Sequence, residues 1–325
     1  MSGWFSDPDC RTVDALDLDL APVGAISRYA VALVDDALGR PVCLPVMIAR
    51  GPTPGPVLGV TAAIHGNEVN GIRVVHKLFR AIEPESLQGT LIGVPIVSVP
   101  AYLEHTRTFR EGFDLNRLMP GKPEGNVGQV YAHRLRARVI TRFTHLVDLH
   151  TASHGRSNAL YVRADLDHQE TATLAGLISP EIIVHNEAGD GTLRGMAMEQ
   201  GIAAITVEVG NPLRFQRRLI TGSFDGVLRV MAHLGMIDEA PPMPGEAPVV
   251  CARSRWTYAQ HGGLLEVFVS PADEVEAGQA LARVTSVFGD EIAVYRAAER
   301  AVVVGISTNP ICETGARVVH LGIPA

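Results

Sequence analysis

The sequence predicts an α/β protein, a sheet of apolar strands covered by helices on both faces, with a small all-β module appended. Three observations predict it. Short uncharged apolar runs alternate with segments of helical spacing as far as residue 236. The stretch "EAPPMPGEAP" (239–248) is Pro-rich and reads as a linker. Beyond it no helical spacing recurs, only short runs punctuated by glycine, in two weakly similar halves. The expected organisation is an α/β domain over 1–240, a linker over 241–248 and a β-module over 249–325.

Each element has its own warrant. Residues 1–25 carry no sustained pattern and read as a loosely ordered lead-in. "YAVALVDD", "GRPVCLPVMIARG" and "GPVLGVTAAIHG" read as strands separated by Asp-, Gly- and Pro-rich turns. "EVNGIRVVHKLFRAI" places apolar residues at 69, 72, 74, 75, 78, 79 and 82, which is helical spacing. "GTLIGVPIVSV" is a continuous apolar strand, and "NVGQVYAHRLRARVITRF" an amphipathic helix with arginines on its wet face. "THLVDLHTAS" is a strand running into a loop; "ALYVRA" and "EIIVHN" are strands flanking a helix around 168–178. "GTLRGMAMEQG" reads as a short helix, "IAAITVEVG" as a buried strand and "FDGVLRVMAHLGM" as a closing helix. Uncharged strands of this kind suit a sheet buried on both faces.

Composition excludes several functions. The 325 residues suffice for one large domain and a small one, and the apolar fraction of 46% with 19% charged residues is that of a soluble globular protein. A net charge of -7 argues against a nucleic-acid surface. The four cysteines are scattered without a CxxC pair, so neither a cysteine metal site nor a disulfide framework is indicated. The acidic first twenty residues do not read as a signal peptide. No apolar run approaches the about 18 residues that a membrane span needs. The expected compartment is a reducing cytoplasm, with no nucleic-acid or membrane partner; a homo-oligomer is compatible with the sequence.

Chemistry concentrates at three strand ends: Ile64-His65-Gly66-Asn67-Glu68, Val147-Asp148-Leu149-His150-Thr151 and Val207-Glu208-Val209-Gly210-Asn211. In open α/β sheets, sites form beyond the carboxyl ends of strands. A catalytic zinc takes three ligands from His and carboxylate and keeps one position for water. His65, Glu68 and His150 supply that set, with Gly66 expected to turn the chain between the first two. Taken alone, HxxE more often marks a carboxylate favoured by a helix N-terminus. A lone DLH is weaker still, since the chain has 12 histidines. The conjunction of strand-end positions shifts the balance. A ligand imidazole is expected to give its other nitrogen to a carboxylate, Asp114 being the first candidate and Asp148 the second. The segment "RTFREGFDLNRLMPG" (107–121) holds Arg107, Arg110, Asn116 and Arg117. It is either a solvated loop or an anion site, since guanidinium forks and an amide donor match a carboxylate.

HGNE at 65–68, DLNR at 114–117, DLH at 148–150 and VEVG at 207–210, in that order, resemble the succinylglutamate desuccinylase/aspartoacylase family, a branch of the zinc carboxypeptidase-like hydrolases. The likeness covers roughly residues 45–235 and extends to "GNPLRFQ" at 210–216. It implies a zinc-carboxypeptidase-like mixed sheet, followed by a C-terminal domain whose topology is similar to lipoyl-type barrels. No lysine follows Lys122, so the module cannot carry lipoate or biotin on a lysine. The resemblance implies one Zn2+ per chain on His65, Glu68 and His150, with Glu208 as general base and acid. It implies that Arg107 polarises the scissile carbonyl, that Asn116 and Arg117 hold the substrate carboxylate, and that Arg194 is a further anion contact. The 107–116 loop differs in length from that of aspartoacylase, which makes Arg110 an alternative to Arg107.

The expected function is deacylation of a small N-acyl amino acid or related carboxylate-bearing amide by metal-activated water. A zinc carboxypeptidase acting on a peptide's C-terminal residue is the alternative, and a non-catalytic metal- and anion-binding protein a second. An intact Glu208 speaks against the last, because a purely structural zinc needs no base.

Overall fold

The computed structural model describes residues 9–325; residues 1–8, the start of the expected lead-in and of the segment read as no signal peptide, lie outside them. One large mixed sheet dominates. Its central strands, in spatial order, are Gln88–Val94, Thr53–Ala62, His145–His150, Ala203–Val209 and Leu160–Ala164. The first four are mutually parallel, and Leu160–Ala164 runs antiparallel to Ala203–Val209. The antiparallel pair Ala25–Asp35 and Pro41–Arg50 extends one side of the sheet. Helices Asn70–Ala81, Gln169–Ile178 and Arg217–His233 cover one face, where Val75, Ile178 and Val230 share a core with Val60 and Val207. Helices Val127–Arg138 and Leu193–Glu199 cover the other, packing Tyr131, Leu135 and Met196 beneath Val46 and Leu146. This is the α/β architecture, covered on both faces, that strand–helix alternation predicts.

Three local differences have physical causes. The expected lead-in is ordered from Cys10: Cys10–Val13 pairs in parallel with the strand at 28–31, and Leu16 and Ala21 are buried. The strand read through Val99 stops at Val94, because Pro95 has no N–H to continue the ladder, and a short helix Val99–Leu103 follows. The closing helix begins at Arg217 rather than 224, its polar first turns hiding it from an apolar pattern.

Beyond residue 248 every regular element is a strand, and a second, four-stranded antiparallel sheet is built from 263–267, 280–285, 291–296 and 311–312. The module nevertheless shares the main sheet. Val249–Tyr258 pairs in parallel with Ile182–His185, and Arg156–Asn158 pairs with Ala301–Ser307. Tyr161, Ile182 and Val184 are packed in one cluster with Cys251, Val302 and Val304. The Pro-rich stretch therefore separates two sequence textures, while the sheet and a small core run across it. No helix among the described residues is long and apolar enough to cross a membrane.

Candidate metal centre and anion pocket

The three polar strand ends lie side by side. Thr53–Ala62, His145–His150 and Ala203–Val209 are adjacent and parallel, so their carboxyl ends open on the same edge, with Thr61 level with Asp148 and His150 level with Glu208. They border a cavity of about 480 Å³ lined by His65, Glu68, Arg107, His150, Glu208 and residues of the β-module.

The chain reaches His65 by a strained turn. Ala63 adopts a left-handed φ of 52°, held by the Val97 N–H on the Ala62 carbonyl and the Ser98 N–H on that of Ala63. The chain then turns again at Gly66, as the sequence suggests, with the Glu68 N–H on the His65 carbonyl at 3.1 Å. Gly66 is needed for a different reason: a Cβ there would lie 2.0 Å from the carbonyl of Ala101. Gly66→Ala should therefore push the 65–68 turn off the 101–102 backbone. Overpacking of this kind costs about 1–3 kcal/mol, so a melting temperature several degrees lower, with weakened metal retention, is the expected result. An unchanged melting temperature would show that the turn yields freely.

His65, Glu68 and His150 are all buried and place one potential ligand atom each within 4.8 Å of one another. His65 Nδ1 is 2.9 Å from Glu68 Oε1, and His150 Nδ1 is 3.0 Å from Glu68 Oε2. Both outer nitrogens rest on carboxylates: His65 Nε2 lies 3.1 Å from Asp114 Oδ1, and His150 Nε2 lies 2.9 Å from Asp148 Oδ2. Thr61 donates to the other oxygen of Asp148 at 2.6 Å. A carboxylate that takes the Nε2 hydrogen leaves Nδ1 as the free lone pair. Two such lone pairs and a carboxylate facing one another repel unless a cation lies among them. Without a metal, a proton on His150 takes that place. Burial opposes charge on His150, yet Asp148 and Glu68 outweigh it and push the imidazole well above its ordinary value. Burial also raises Glu68, but His65 and His150 outweigh it and hold the carboxyl well below the usual range. The site favours positive charge at this point, and its donors could hold a metal ion.

Glu68 does not serve as a helix-end carboxylate. The helix starts at Asn70, and Glu68 instead accepts from the Thr151 N–H at 3.1 Å, from Ser153 Oγ at 3.0 Å and from Arg107 Nη1 at 3.3 Å. Asn70, wholly buried, donates to the Val209 carbonyl and accepts from the Gln216 N–H, which ties the start of that helix to the loop after Glu208.

Arg107 sits inside the site. Its Nη2 is 2.9 Å from Asp114 Oδ2, and Nη1 also donates to Ser153. Burial would raise Asp114, but His65 and Arg107 hold it far below the usual range. Arg110, the alternative to Arg107, is exposed in a short turn beside Glu111 (φ 60°) and does not line the cavity.

Glu208 is not part of the His65–Glu68–His150 group. It accepts from Asn158 Nδ2 and from the Tyr161 hydroxyl, each at 3.3 Å, and Tyr161 stands level with it on the neighbouring strand. Burial raises its carboxyl above the ordinary value against the pull of His150.

A third region collects anion donors. Asn116, Arg117 and Arg194 line the same cavity. The Asn116 amide oxygen is spent on the Leu193 N–H at 2.7 Å, which leaves its NH2 as a donor. Arg117 Nη1 donates to the Asp190 carbonyl at 3.2 Å. Arg194 is 1% exposed and uses Nη2 on the Glu187 carbonyl and on Asp190, while its buried Nη1 has no partner among the described residues. A desolvated guanidinium N–H without an acceptor is costly, so Nη1 calls for an acceptor from outside the chain, a water or an anion.

Ser153, Asn158, Tyr161, Arg156, Arg163, Trp256, Arg317 and His320 also line the cavity, and sequence reading passes over all of them. One signal was available: Tyr161 and Arg163 alternate on one face of an otherwise apolar buried strand.

Known proteins resemble the chain in sequence and in fold. The succinylglutamate desuccinylase/aspartoacylase catalytic domain matches residues 54–234. N-alpha-acetyl-L-2,4-diaminobutyric acid deacetylase of Halomonas elongata is 29% identical over 264 residues, 77% of this chain and 76% of that protein. A succinylglutamate desuccinylase/aspartoacylase from Rhodobacter sphaeroides has a similar structure, with a TM-score of 0.84, 23% identity and coverage of 95% of this chain and 98% of that one. The product-bound ectoine utilization protein EutE (DoeB) from Ruegeria pomeroyi has a TM-score of 0.83 at 21% identity, covering 94% and 98%. These structures share the fold.

Proposed function

Because the chain belongs to the succinylglutamate desuccinylase/aspartoacylase family, we propose that it is a zinc-dependent amidohydrolase that deacylates a small N-acyl amino acid or related carboxylate-bearing amide. The observation that carries this reading is the pairing, in one cavity, of a His–Glu–His donor set with a buried carboxylate, Glu208, that is held by its own partners. His65, Glu68 and His150 would hold the zinc, with Asp114 and Asp148 fixing the imidazoles. Bound zinc supplies Lewis acidity, which lowers the pKa of water from ~15.7 to ~7 and polarises a carbonyl.

The protein's own groups do the rest. Glu208 takes the proton of the attacking water on its carboxylate and passes it to the leaving amine. Its raised affinity for protons, caused by burial, suits both halves of that transfer. Arg107 presents a fixed positive charge where the carbonyl oxygen becomes anionic, and preorganised charge of this kind is commonly a large share of the rate gain. Asn116, Arg117 and Arg194 hold the substrate carboxylate and so align the amide.

The relative from Halomonas elongata is a deacetylase of an N-acetyl diamino acid, which favours the deacylase reading over a carboxypeptidase. Release of free amine from a panel of N-acyl amino acids and tetrapeptides tests it: cleavage of the former with the latter untouched is expected, and the reverse would establish a carboxypeptidase.

Two substitutions check the assignment of the arginines. Arg117→Lys keeps the charge and loses the fork; KM should rise by about tenfold, or ~1.4 kcal/mol, with the melting temperature unchanged. A lowered melting temperature at constant KM would make Arg117 a structural group of the Asp190 loop. Arg110→Ala should leave kcat/KM at the wild-type value, since that side chain faces solvent.

A further inference from the structure

We propose that a cleft lined by the helix Asn70–Ala81 and the strands Cys10–Val13, Ala25–Asp35 and Pro41–Arg50 is a second ligand site, and that it takes a phosphate monoester with a small apolar group. The site is separate from the metal centre, and the inference does not rest on the amidohydrolase reading above.

The cleft has a volume of about 670 Å³, within the range of about 300–1,000 Å³ usual for small-molecule sites, and it shares no described wall residue with the cavity of the metal centre. The strand Ala25–Asp35 is buried from Tyr29 to Val31 but exposed at Ile26 and Arg28. Arg28 stands level with Met47 on one side and with Cys10 on the other, and Arg11 follows on the first strand. The helix contributes His76, Phe79 and Arg80 from its last turns. Phe79, buried, and Met47, half-buried, thus offer apolar surface beside the exposed Arg11, Arg28 and Arg80.

Positive charge is in excess on these walls. Three arginines share the described walls with one carboxylate, Asp9, an excess of two positive charges on a chain whose net charge is -7. Arg11 and Arg80 have no carboxylate within 4.0 Å among the described residues. Arginines close by in the chain do: Arg40 pairs with Asp36 and Arg50 with Asp19. Burial, and then the charges of Arg73 and Arg80, hold the half-buried His76 below its ordinary value, so the imidazole stays neutral and adds a hydrogen-bonding group without further charge. Ser27 also lines the cleft, and its buried hydroxyl has no partner among the described residues. Exposed arginines are ordinarily solvated one by one; these border a single cavity with apolar walls. A phosphate monoester carries a charge of about -1.5 to -2 at neutral pH and presents oxygens that guanidinium forks match. It meets the excess charge where a monocarboxylate meets only half of it. The apolar walls then receive its organic group.

Calorimetric titration of the full-length protein with hexyl phosphate at constant ionic strength reads this out, with inorganic phosphate, hexanoate and hexanol as comparisons. One equivalent of hexyl phosphate should bind, and it should survive Arg117→Gln, which alters only the metal-centre cavity. Its affinity should exceed that of inorganic phosphate roughly tenfold, the fold-change of burying about two methylene groups. It should exceed that of hexanoate and of hexanol by roughly tenfold or more, the fold-change of at least one charge-assisted hydrogen bond. Arg11→Gln and Arg80→Gln should each weaken hexyl phosphate about tenfold. Ile26→Ser should lower the affinity for hexyl phosphate and leave that for inorganic phosphate unchanged. Absence of binding, or tighter binding of hexanoate or hexanol, would overturn the site. Loss of binding in Arg117→Gln with retention in Arg11→Gln and Arg80→Gln would put the phosphate in the metal-centre cavity and overturn it as well. If Arg80 only favours the carboxyl end of its helix and Arg11 is only solvated, both glutamine variants will keep the wild-type affinity, and the proposal fails whatever their melting temperatures.

Discussion

Glu208→Gln is expected to lower kcat by roughly 10²–10⁴, the usual contribution of a general acid–base group, while the protein keeps its fold and its metal. Glutamine fills the same volume, and its amide oxygen can still accept from Asn158 and Tyr161, the two groups that hold Glu208 in place. What it cannot do is take a proton. The pH profile gives an independent reading. Protonation of the Glu208 carboxyl should give the wild-type kcat/KM an acid limb. Activity should be full above that point and fall as pH drops through it and the base becomes protonated. The glutamine variant should lack that limb. Loss of metal together with activity would make Glu208 a ligand and not a base.

His150→Ala should abolish metal binding and reduce turnover to background. The imidazole stands between Glu68 and Asp148, both almost completely buried, and contacts each at 2.9–3.0 Å. Its removal leaves two buried carboxylates without their shared partner. Breaking a buried charged pair costs about 3–5 kcal/mol, so the apo variant should also melt well below the apo wild type. Asp148→Asn, which leaves the ligand and alters only its support, should weaken metal affinity by the about 10–100-fold typical of such partners. A metal affinity in His150→Ala equal to that of wild type would remove this residue from the donor set.

Much of this was legible in the sequence because the chemistry sits at strand ends, where a histidine or glutamate closing an uncharged run is conspicuous. His65, Glu68, His150 and Glu208 stand out in this way, and the apolar strands that carry them also announce the α/β sheet. Asp114 and Asp148 could be named because ligand imidazoles need carboxylate partners, and each is found on one of them. Other features depend on distances that sequence spacing does not encode. Arg107 and Arg110 are equivalent in the string, and only the contacts of Arg107 with Asp114 and Glu68 separate it from the exposed Arg110. Gly66 turns the chain as residue type suggests, but the left-handed φ at Ala63 and the approach of Ala101 to Gly66 are set by tertiary contacts. Tyr161 holds Glu208 across a strand pairing, and Asn158 reaches it from the short strand before, each about fifty residues away in the chain. The Trp256–His320 stack follows from a register between strands that no local pattern specifies. The continuity of the sheet past the Pro-rich stretch has the same cause: composition reports flexibility of a connection, not which edges its two sides will pair.

Zinc stoichiometry, measured by elemental analysis after exhaustive dialysis, tests the centre of this scheme most directly when wild type, His65→Ala and Glu208→Gln are compared. One zinc per chain in the wild type and in Glu208→Gln, with none in His65→Ala, is the predicted result. A full equivalent of zinc in His65→Ala, or its loss from Glu208→Gln, would contradict the division of this cavity into a metal-holding triad and a separate base.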